Sequence, residues 1–246
     1  MKQTTNISKQ KKSINLILKI AILLIFTVLF CGCNPTLSVN IASTDAVSLE
    51  FYSGLGESVE ETIYAITGTD AQTPLFDKEA VFQNLEVTGF SVKSVEIDDN
   101  NLFLETNPMS MYKIQSITSG LIEEITSNSV TISLTPEKFQ EFVTILPEET
   151  VGYLDLLCAP IFTNEELTTE DYYEVLSAIY GKTLAQEAME SEFVINVSVP
   201  SNEEILDIKV DIPNAKAMIK NNSAKIVVPL ADFLCNLRES MIIIVW

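Results

Sequence analysis

The sequence predicts an α+β domain, in which a mixed, mainly antiparallel sheet from N-terminal and C-terminal strands carries a helical insertion packed on it. Apolar residues alternate with polar ones in several segments before residue 135 and again from Phe193 onwards, which is typical of half-buried strands. Between these parts, over about residues 136–191, apolar residues recur with the period of amphipathic helices. Because neither group of strands has an obvious partner layer of its own, we expect both groups to share one sheet.

The N-terminal elements follow from alternation and from local start signals. Residues 37–41 and 47–51 each place an apolar side chain at every second position around a turn, so we predict a hairpin. Ser58 and Glu61 have the spacing of a capping box, which predicts the start of a helix. The alternation slips by one residue at positions 93–94, and we interpret the slip as a β-bulge.

The helical insertion is marked by two capping signals. Thr135 precedes Pro136, a residue that suits the first position of a helix, and apolar residues continue at helical spacing over residues 139–146. Thr168 with Asp171 has the spacing of a second capping box. We therefore expect a helix after each signal.

The C-terminal strands are predicted from apolar segments. Residues 193–199 and 206–212 alternate on either side of a turn, which favours a hairpin. The chain ends in residues 241–246, MIIIVW, a continuous apolar run that is typical of a strand buried on both faces. We expect this strand to lie inside the sheet and to join the N-terminal and C-terminal halves into one cooperative domain.

The first 32 residues have the features of a leader that directs export. Four lysines without an acidic neighbour lie within residues 2–12 and form a basic start. The apolar residues 20–30 follow, a stretch of about 11 residues, whereas a membrane-crossing helix needs roughly 20. The motif Phe30-Cys31-Gly32-Cys33 follows and resembles a bacterial lipobox, with Gly32 before the cleaved bond and Cys33 as the lipid-bearing residue. The alternative is an uncleaved N-terminal membrane anchor with Lys19 near the headgroups. Both interpretations export the domain and hold it at a membrane.

These features divide the chain into a signal peptide over residues 1–32, a lipid-anchored tether over residues 33–36 and a single α+β domain over residues 37–246. Cys33 would carry a diacylglyceride and, on its amine, a further acyl chain such as palmitate. Several acyl chains together give the stable anchoring that one chain does not. The expected location is the bacterial cell membrane or outer membrane.

The charge of the chain argues against two classes of partner. Residues 33–246 hold all 34 acidic residues and ten of the 15 basic ones, so their net charge is −24. Such a surface repels nucleic acid and anionic lipid headgroups. Cys158 and Cys235 both lie among apolar neighbours, and we expect buried free thiols rather than a disulfide framework.

The absence of histidine excludes much of enzyme chemistry. It removes Ser-His-Asp and Cys-His nucleophilic sites, HExxH zinc sites and histidine-ligated haem. The motif Gly54-Leu55-Gly56 matches too little of the glycine-rich loop that binds dinucleotides, and it fits a turn between a strand and a helix. We therefore expect no enzyme activity, no cofactor and no metal site.

Carboxylates leave one catalytic alternative open, that of a carboxylate-dependent envelope hydrolase. Four acidic pairs are the candidates: Glu60-Glu61, Glu123-Glu124, Glu165-Glu166 and Glu203-Glu204. Solvated faces and helix starts are the ordinary explanation for such pairs. The run from Asp98 to Asn101 lacks the later glycine and glutamate of a calcium loop and fits a plain turn.

An aromatic group in the insertion is the candidate binding site, and its members are Phe162, Tyr172, Tyr173 and Tyr180. Packing of helix against sheet is the ordinary explanation for aromatic residues at helical spacing. The functional interpretation is an apolar pocket between the insertion and the sheet, with phenol hydroxyls at its mouth.

Three stretches give the chain a family resemblance, namely LSVNIASTDAVSLEFYSGLG, ISLTPEKFQEFVTILPEETVGYLDLLCAPIFTNEELTTEDYYEVLSAIYG and VPLADFLCNLRESMIIIVW. Together they resemble a group of uncharacterised bacterial lipoproteins of the kind met in spirochaetes, over most of residues 33–246. The likeness contains no catalytic motif, so it transfers no functional residue. More loosely, EFVINVSVPSNEEILDIKVDI and the final tryptophan are similar in layout to LppM-type exported lipoproteins.

The sequence thus predicts a membrane-anchored bacterial lipoprotein that serves as a non-catalytic binding module at the cell envelope. Its partner would be an envelope protein or an apolar ligand. An aromatic-lined groove or an exposed apolar patch would favour this module, whereas a cleft with converging acids would favour the hydrolase.

Replacement of Cys33 by alanine should leave an unprocessed precursor without lipid, because the thiol is the expected acceptor of the diacylglyceride. Metabolic labelling with palmitate and the intact mass of the protein measure both effects. Cys31→Ala is the matched control and should still be processed and labelled. Palmitate incorporation into the Cys33→Ala variant would show that the lipid is attached elsewhere.

Overall fold

The computed structural model describes residues 32–67, 75–98, 101–138 and 159–246. In these ranges the strands are β1 (Gly32–Ser43), β2 (Ala46–Leu55), β3 (Val92–Asp98), β4 (Asn101–Thr106), β5 (Ile122–Ile125), β6 (Ser129–Leu134), β7 (Glu192–Ser198), β8 (Asp207–Val210), β9 (Lys216–Lys220), β10 (Ser223–Pro229) and β11 (Ser240–Val245). The helices are α1 (Glu57–Thr67), α2 (Lys78–Thr88), α3 (Met111–Ile117), α4 (Pro160–Thr163), α5 (Thr169–Tyr180), α6 (Lys182–Glu190) and α7 (Leu230–Leu234). Residues 136–138 add one helical turn.

Seven of the strands form one mixed sheet in the order β3-β4-β2-β1-β7-β10-β9. β1 pairs in parallel with β7, and every other neighbouring pair in this sheet is antiparallel. The two halves of the chain meet at this parallel pair, where Thr36 lies opposite Val194 and Asn40 lies opposite Ser198. N-terminal and C-terminal strands therefore share one layer, and the predicted α+β fold is confirmed.

The other four strands form a second sheet, in the order β5-β6-β11-β8, which the sequence did not predict. The predicted hairpin between β7 and β8 is wrong, because these strands lie in different sheets. After β7, the amide of Val199 donates to the carbonyl of Asn222, and the amide of Leu206 already donates to Val245 of β11. The short connection between these two bonds, with Ile205 buried, carries the chain from one sheet to the other.

The main hydrophobic core lies between the two sheets and also takes in helices of the C-terminal half. It includes Val39 of β1, Ile242 of β11 and Leu176 of α5, all almost fully buried. A smaller cluster forms where α1 and α2 pack on β3 and β4, around Val81 and Leu102. Because one continuous cluster contains residues from both sheets, each sheet buries its apolar face against the other.

The C-terminal strand β11 pairs on both of its edges, as predicted. Ile242 lies opposite Ile132 of β6 on one side and opposite Val210 of β8 on the other. The expectation that both faces of the run are buried is wrong, since Ile242 is 0% exposed whereas the neighbouring Met241 is 38% exposed. The strand belongs to a sheet with one face on the core, so its side chains alternate between core and surface.

Two predictions about local structure are confirmed. β3 is bulged against β4 between Val92 and Ser94. Helix α5 begins with a complete capping box, in which the Thr168 hydroxyl accepts from the Asp171 amide and the Asp171 carboxylate accepts from the Thr168 amide. Hydrogen bonds from the Thr168 hydroxyl and then from its amide lower the pKa of Asp171 below its usual value.

Other local predictions differ from the structure. Ser58 lies inside α1, whose first turn is closed by a bond from the amide of Glu60 to the carbonyl of Gly56, so the predicted capping box at Ser58 is wrong. The sequence also did not predict α3, β5 or β9. The predicted helix over residues 139–146 lies outside the described residues, although Thr135 caps its first turn by accepting from the amide of Lys138.

Cys235 carries a free thiol at the end of α7, and it is half-buried. Burial and, secondarily, the nearby Asp232 carboxylate raise the pKa of Cys235 to about 12. The thiol is therefore neutral at physiological pH. Cys158, the other cysteine predicted to be a buried thiol, lies outside the described residues.

Truncation of a side chain on the core face of β11 should destabilise the protein far more than truncation on its outer face. Ile242→Ala removes a fully buried side chain that packs between the sheets and should cost about 2–5 kcal/mol of unfolding free energy. Met241→Ala is the matched control on the adjacent, partly exposed position and should cost less than about 1 kcal/mol. Thermal unfolding followed by circular dichroism measures the difference. Equal melting temperatures for the two variants would show that β11 does not carry the core.

Candidate functional site

The seven-stranded sheet has two faces of different character. Side chains on one face, such as Val39, Val197 and Ala224, belong to the main core. Their neighbours along the same strands point the opposite way, because successive residues of a strand alternate between faces. We call this second side the outer face, and residues on it, such as Asn196 and Lys225, belong to neither hydrophobic cluster.

An apolar row crosses the outer face from one edge of the sheet to the other. The strand registers align one residue from each strand, in the order Glu96, Phe103, Tyr52, Thr36, Val194, Val227 and Lys216. The rings of Tyr52 and Phe103 are in contact, with centroids 4.7 Å apart, and Phe103 is 45% exposed. Val194 and Val227 are buried although they lie outside both clusters. The row therefore places apolar and aromatic side chains along a line that ends in a glutamate at one edge and a lysine at the other.

A polar row runs beside the apolar row on the same face. On β1 it lies one outward-facing position further along the strand from Cys33 than the apolar row does. Its members are Ser94, Glu105, Glu50, Ser38, Asn196, Lys225 and Met218. Asn40 donates to Glu50 at 2.8 Å, and the side chain of Lys93 pairs with Glu105 at 2.6 Å. These contacts hold carboxylates at fixed positions on the outer face.

The charges on the outer face are separated into two halves. The half formed by β3, β4 and β2 carries four carboxylates and one lysine, namely Asp98, Glu96, Glu105, Glu50 and Lys93. The half formed by β7, β10 and β9 carries three lysines and one carboxylate, namely Lys225, Lys216, Lys220 and Glu192. Three of the ten basic residues of positions 33–246 thus lie on two neighbouring strands of this face. In a chain of strongly negative charge, this basic half is a distinct feature of the surface.

Cys33 lies at one end of the outer face. It belongs to β1, opposite Gly54 of β2, so residues 33–36, predicted as a tether, are part of the sheet. Asn34 has a left-handed backbone with φ 56°, and its side-chain oxygen accepts from the amide of Glu192 at 3.0 Å. This bond fixes the start of β1 to the start of β7. The predicted lipid site is therefore adjacent to the folded sheet rather than at the end of a flexible linker.

The aromatic group predicted to line a pocket is divided between core and surface. Tyr172 is 2% exposed and belongs to the main core, whereas Tyr173 and Tyr180 are half-buried and pack against it. Phe162 lies in α4, but its side chain is outside the described part of the structure. The positions of the three tyrosines favour helix-to-sheet packing, and an apolar pocket at these residues stays a prediction.

The acidic pairs lie on the surface. Glu123, Glu124, Glu165, Glu166, Glu203 and Glu204 are all exposed, and Glu60 and Glu61 lie on α1. Within the described ranges, no group of three or more cysteine, aspartate or glutamate side chains is arranged to hold a metal ion.

A shallow groove of about 350 Å³ lies beside α6 and is lined by Lys182, Thr183, Gln186, Glu187 and Glu190. Glu187 accepts from the backbone amide of Ser58 and so links α6 to α1, while Glu190 accepts from Gln186 at 2.8 Å. Both carboxylates therefore already have hydrogen-bond donors within the protein. Among the described residues, those that line the groove all come from α6.

Among the described helices, even the longest, α5 with 12 residues, spans only about 18 Å, whereas crossing the apolar part of a bilayer requires about 30 Å. Comparison with models of protein families, with curated proteins and with solved structures found no match.

The outer face was not predicted from the sequence, although its members were visible there. Tyr52 and Phe103 occupy the polar positions of two alternating strands, which is an unusual place for aromatic residues. This alternation alone indicates an exposed apolar residue on each strand. Only the register between strands shows that these residues join Val194 and Val227 in one row.

Proposed function

We propose that the protein is a non-catalytic lipoprotein of the bacterial cell envelope that binds a protein partner through the outer face of its seven-stranded sheet. The observation that carries the proposal is the apolar row, which lies on a face that contributes to neither core. Contiguous apolar and aromatic side chains outside a core, bordered by charges, are typical of protein-binding surfaces.

The lipid would hold this face close to the membrane. Thr36 in the apolar row follows Cys33 by three residues on β1, so the row lies within about 10 Å of the lipid site at a rise of about 3.3 Å per residue. A partner that docks on the row would be another protein at the same membrane surface. Anchoring restricts both proteins to that surface and raises their effective concentration.

Aromatic residues at the centre of a contact usually contribute most of its free energy, while charged residues at the rim set orientation. Tyr52 and Phe103 are the aromatic pair of the apolar row, and Tyr52 is fixed by a hydrogen bond from its hydroxyl to Asn101 at 3.2 Å. Phe103 is the more exposed of the two and gains most from being covered.

Phe103→Glu should abolish the partner contact while leaving the lipoprotein folded and membrane-bound, because a carboxylate in the apolar row resists desolvation. Tyr112→Glu is the matched control, since Tyr112 is 79% exposed on α3, away from the outer face. Chemical cross-linking in membranes, followed by mass spectrometry, measures the adducts of both variants and the wild type. Adducts that persist in the Phe103→Glu variant at the wild-type level would contradict the proposal. Adducts of lipid or another apolar ligand, without protein, would also contradict it.

A further inference from the structure

We infer that the partner on the outer face is a second copy of this chain, related by a two-fold axis that lies between the two faces and runs parallel to β1. The inference rests on the proposed use of the outer face as a binding surface and names its occupant. Three features carry it: the separation of charge into two halves, the position of β1 at the centre of the sheet, and the location of Cys33.

A two-fold axis parallel to the strands reverses the strand order of the second copy. β1 is the fourth of seven strands, so it lies over its own copy, while β3 lies over β9, β4 over β10 and β2 over β7. Each contact then occurs twice, as in any isologous interface. Two sheets packed face to face in aligned orientation, about 10 Å apart, are a common arrangement in proteins.

This reversal makes the apolar row complementary to itself. Phe103 of one copy would lie over Val227 of the other, Tyr52 would lie over Val194, and Thr36 would lie over Thr36. At the ends of the row, Glu96 would lie over Lys216. The two aromatic side chains thus meet two valines that are each only 8% exposed in the single chain, so the contact depends mainly on the carboxylate and the ammonium group that meet at each end.

In the polar row, Ser94 would lie over Met218 and Glu50 over Asn196, and one further pair joins opposite charges. Glu105 would lie over Lys225, and Ser38 would lie over its own copy at the centre. Taken together, the half with four carboxylates and one lysine faces the half with three lysines and one carboxylate, at both ends of the interface. Charge complementarity of this kind fixes the register of two surfaces and disfavours other registers.

The alternative two-fold axis, perpendicular to the strands, fails on both charge and anchoring. It would keep the strand order and reverse positions along each strand, so that with the axis on the apolar row Glu96 faces its own copy, Lys216 faces its own copy, and like charges meet. It would also direct the two Cys33 residues toward opposite ends of the dimer. With the axis parallel to β1, both Cys33 residues lie at the same end, where both lipids can enter one membrane.

The size of the face fits a dimer of moderate affinity. Seven strands at about 4.8 Å spacing and three outward positions along each strand cover roughly 600 Å² per copy. A standard interface buries about 800 Å² per partner. Restriction to a membrane surface compensates for the smaller area, because it raises the effective concentration of the two copies.

Charge-swap variants of the full-length lipoprotein, purified in detergent at about 0.15 M salt, test the inference. Sedimentation velocity over a concentration series measures the dimer dissociation constant. Lys216→Glu with Lys225→Glu should raise this constant at least about tenfold, and Glu96→Lys with Glu105→Lys should do the same. The variant with all four substitutions should recover wild-type dimerisation, because both halves exchange their charge. An equimolar mixture of the two double variants should form heterodimers.

Lys113→Glu with Lys209→Glu is the matched control, with the same charge change on α3 and β8. It should leave the dissociation constant unchanged, and circular dichroism verifies that every variant is folded. A folded four-substitution variant that remains monomeric would overturn the inference, as would a dimer that none of the swaps affects.

Two outcomes separate dimerisation of this chain from the use of the outer face as a binding surface. In the first outcome, the wild type is monomeric, and its membrane adducts with a different protein disappear in the Phe103→Glu variant. This result would overturn the inference of a second copy and leave the outer face as a binding surface. In the second outcome, the wild type is monomeric and forms no adduct that depends on Phe103. This result would contradict both the dimer and the proposed binding function of the outer face.

Discussion

The parallel pairing of β1 with β7 is the constraint on which the rest of the structure depends. It inserts the first strand of the sheet between β2 and β7 and joins parts of the chain that are 158 positions apart, as the bond from Glu192 to Asn34 shows. Closing so long a loop is entropically costly, so the pair requires the support of the surrounding core. Without it, the sheet would divide into β3-β4-β2-β1 and β7-β10-β9, and neither the core nor the apolar row would be continuous.

The edge strand β9 serves two purposes at once. All its side chains are exposed, and lysines stand at both of its ends. Lysine on an edge strand opposes uncontrolled pairing with other strands, which is a common protection of sheet edges. The same residues supply the basic half of the outer face, opposite an acidic half on the far edge. In the proposed dimer, the lysines that protect the sheet edge would also face the carboxylates of the second copy.

The sequence predicted what depends on short-range pattern. Alternation located most strands, and the Thr168–Asp171 capping box and the bulge near Ser94 were visible because each involves residues close together in the chain. Strand order could not be predicted, because β8 has as regular an alternation as β7, yet β11 offers it a free edge in the second sheet. The apolar row was missed for the same reason. Its members come from seven strands, and only the registers between those strands bring them into line.

Hydrogen exchange of the full-length protein, resolved by mass spectrometry, tests the pairing of β1 with β7 most directly. Amides of residues 37–40 and 195–198 should exchange only through global unfolding, because both segments lie inside the sheet. Amides of the edge strand β9 should exchange at least about tenfold faster under the same conditions. Exchange of residues 37–40 as fast as that of β9, while β7 and β10 remain protected, would contradict the placement of β1 at the centre of the sheet.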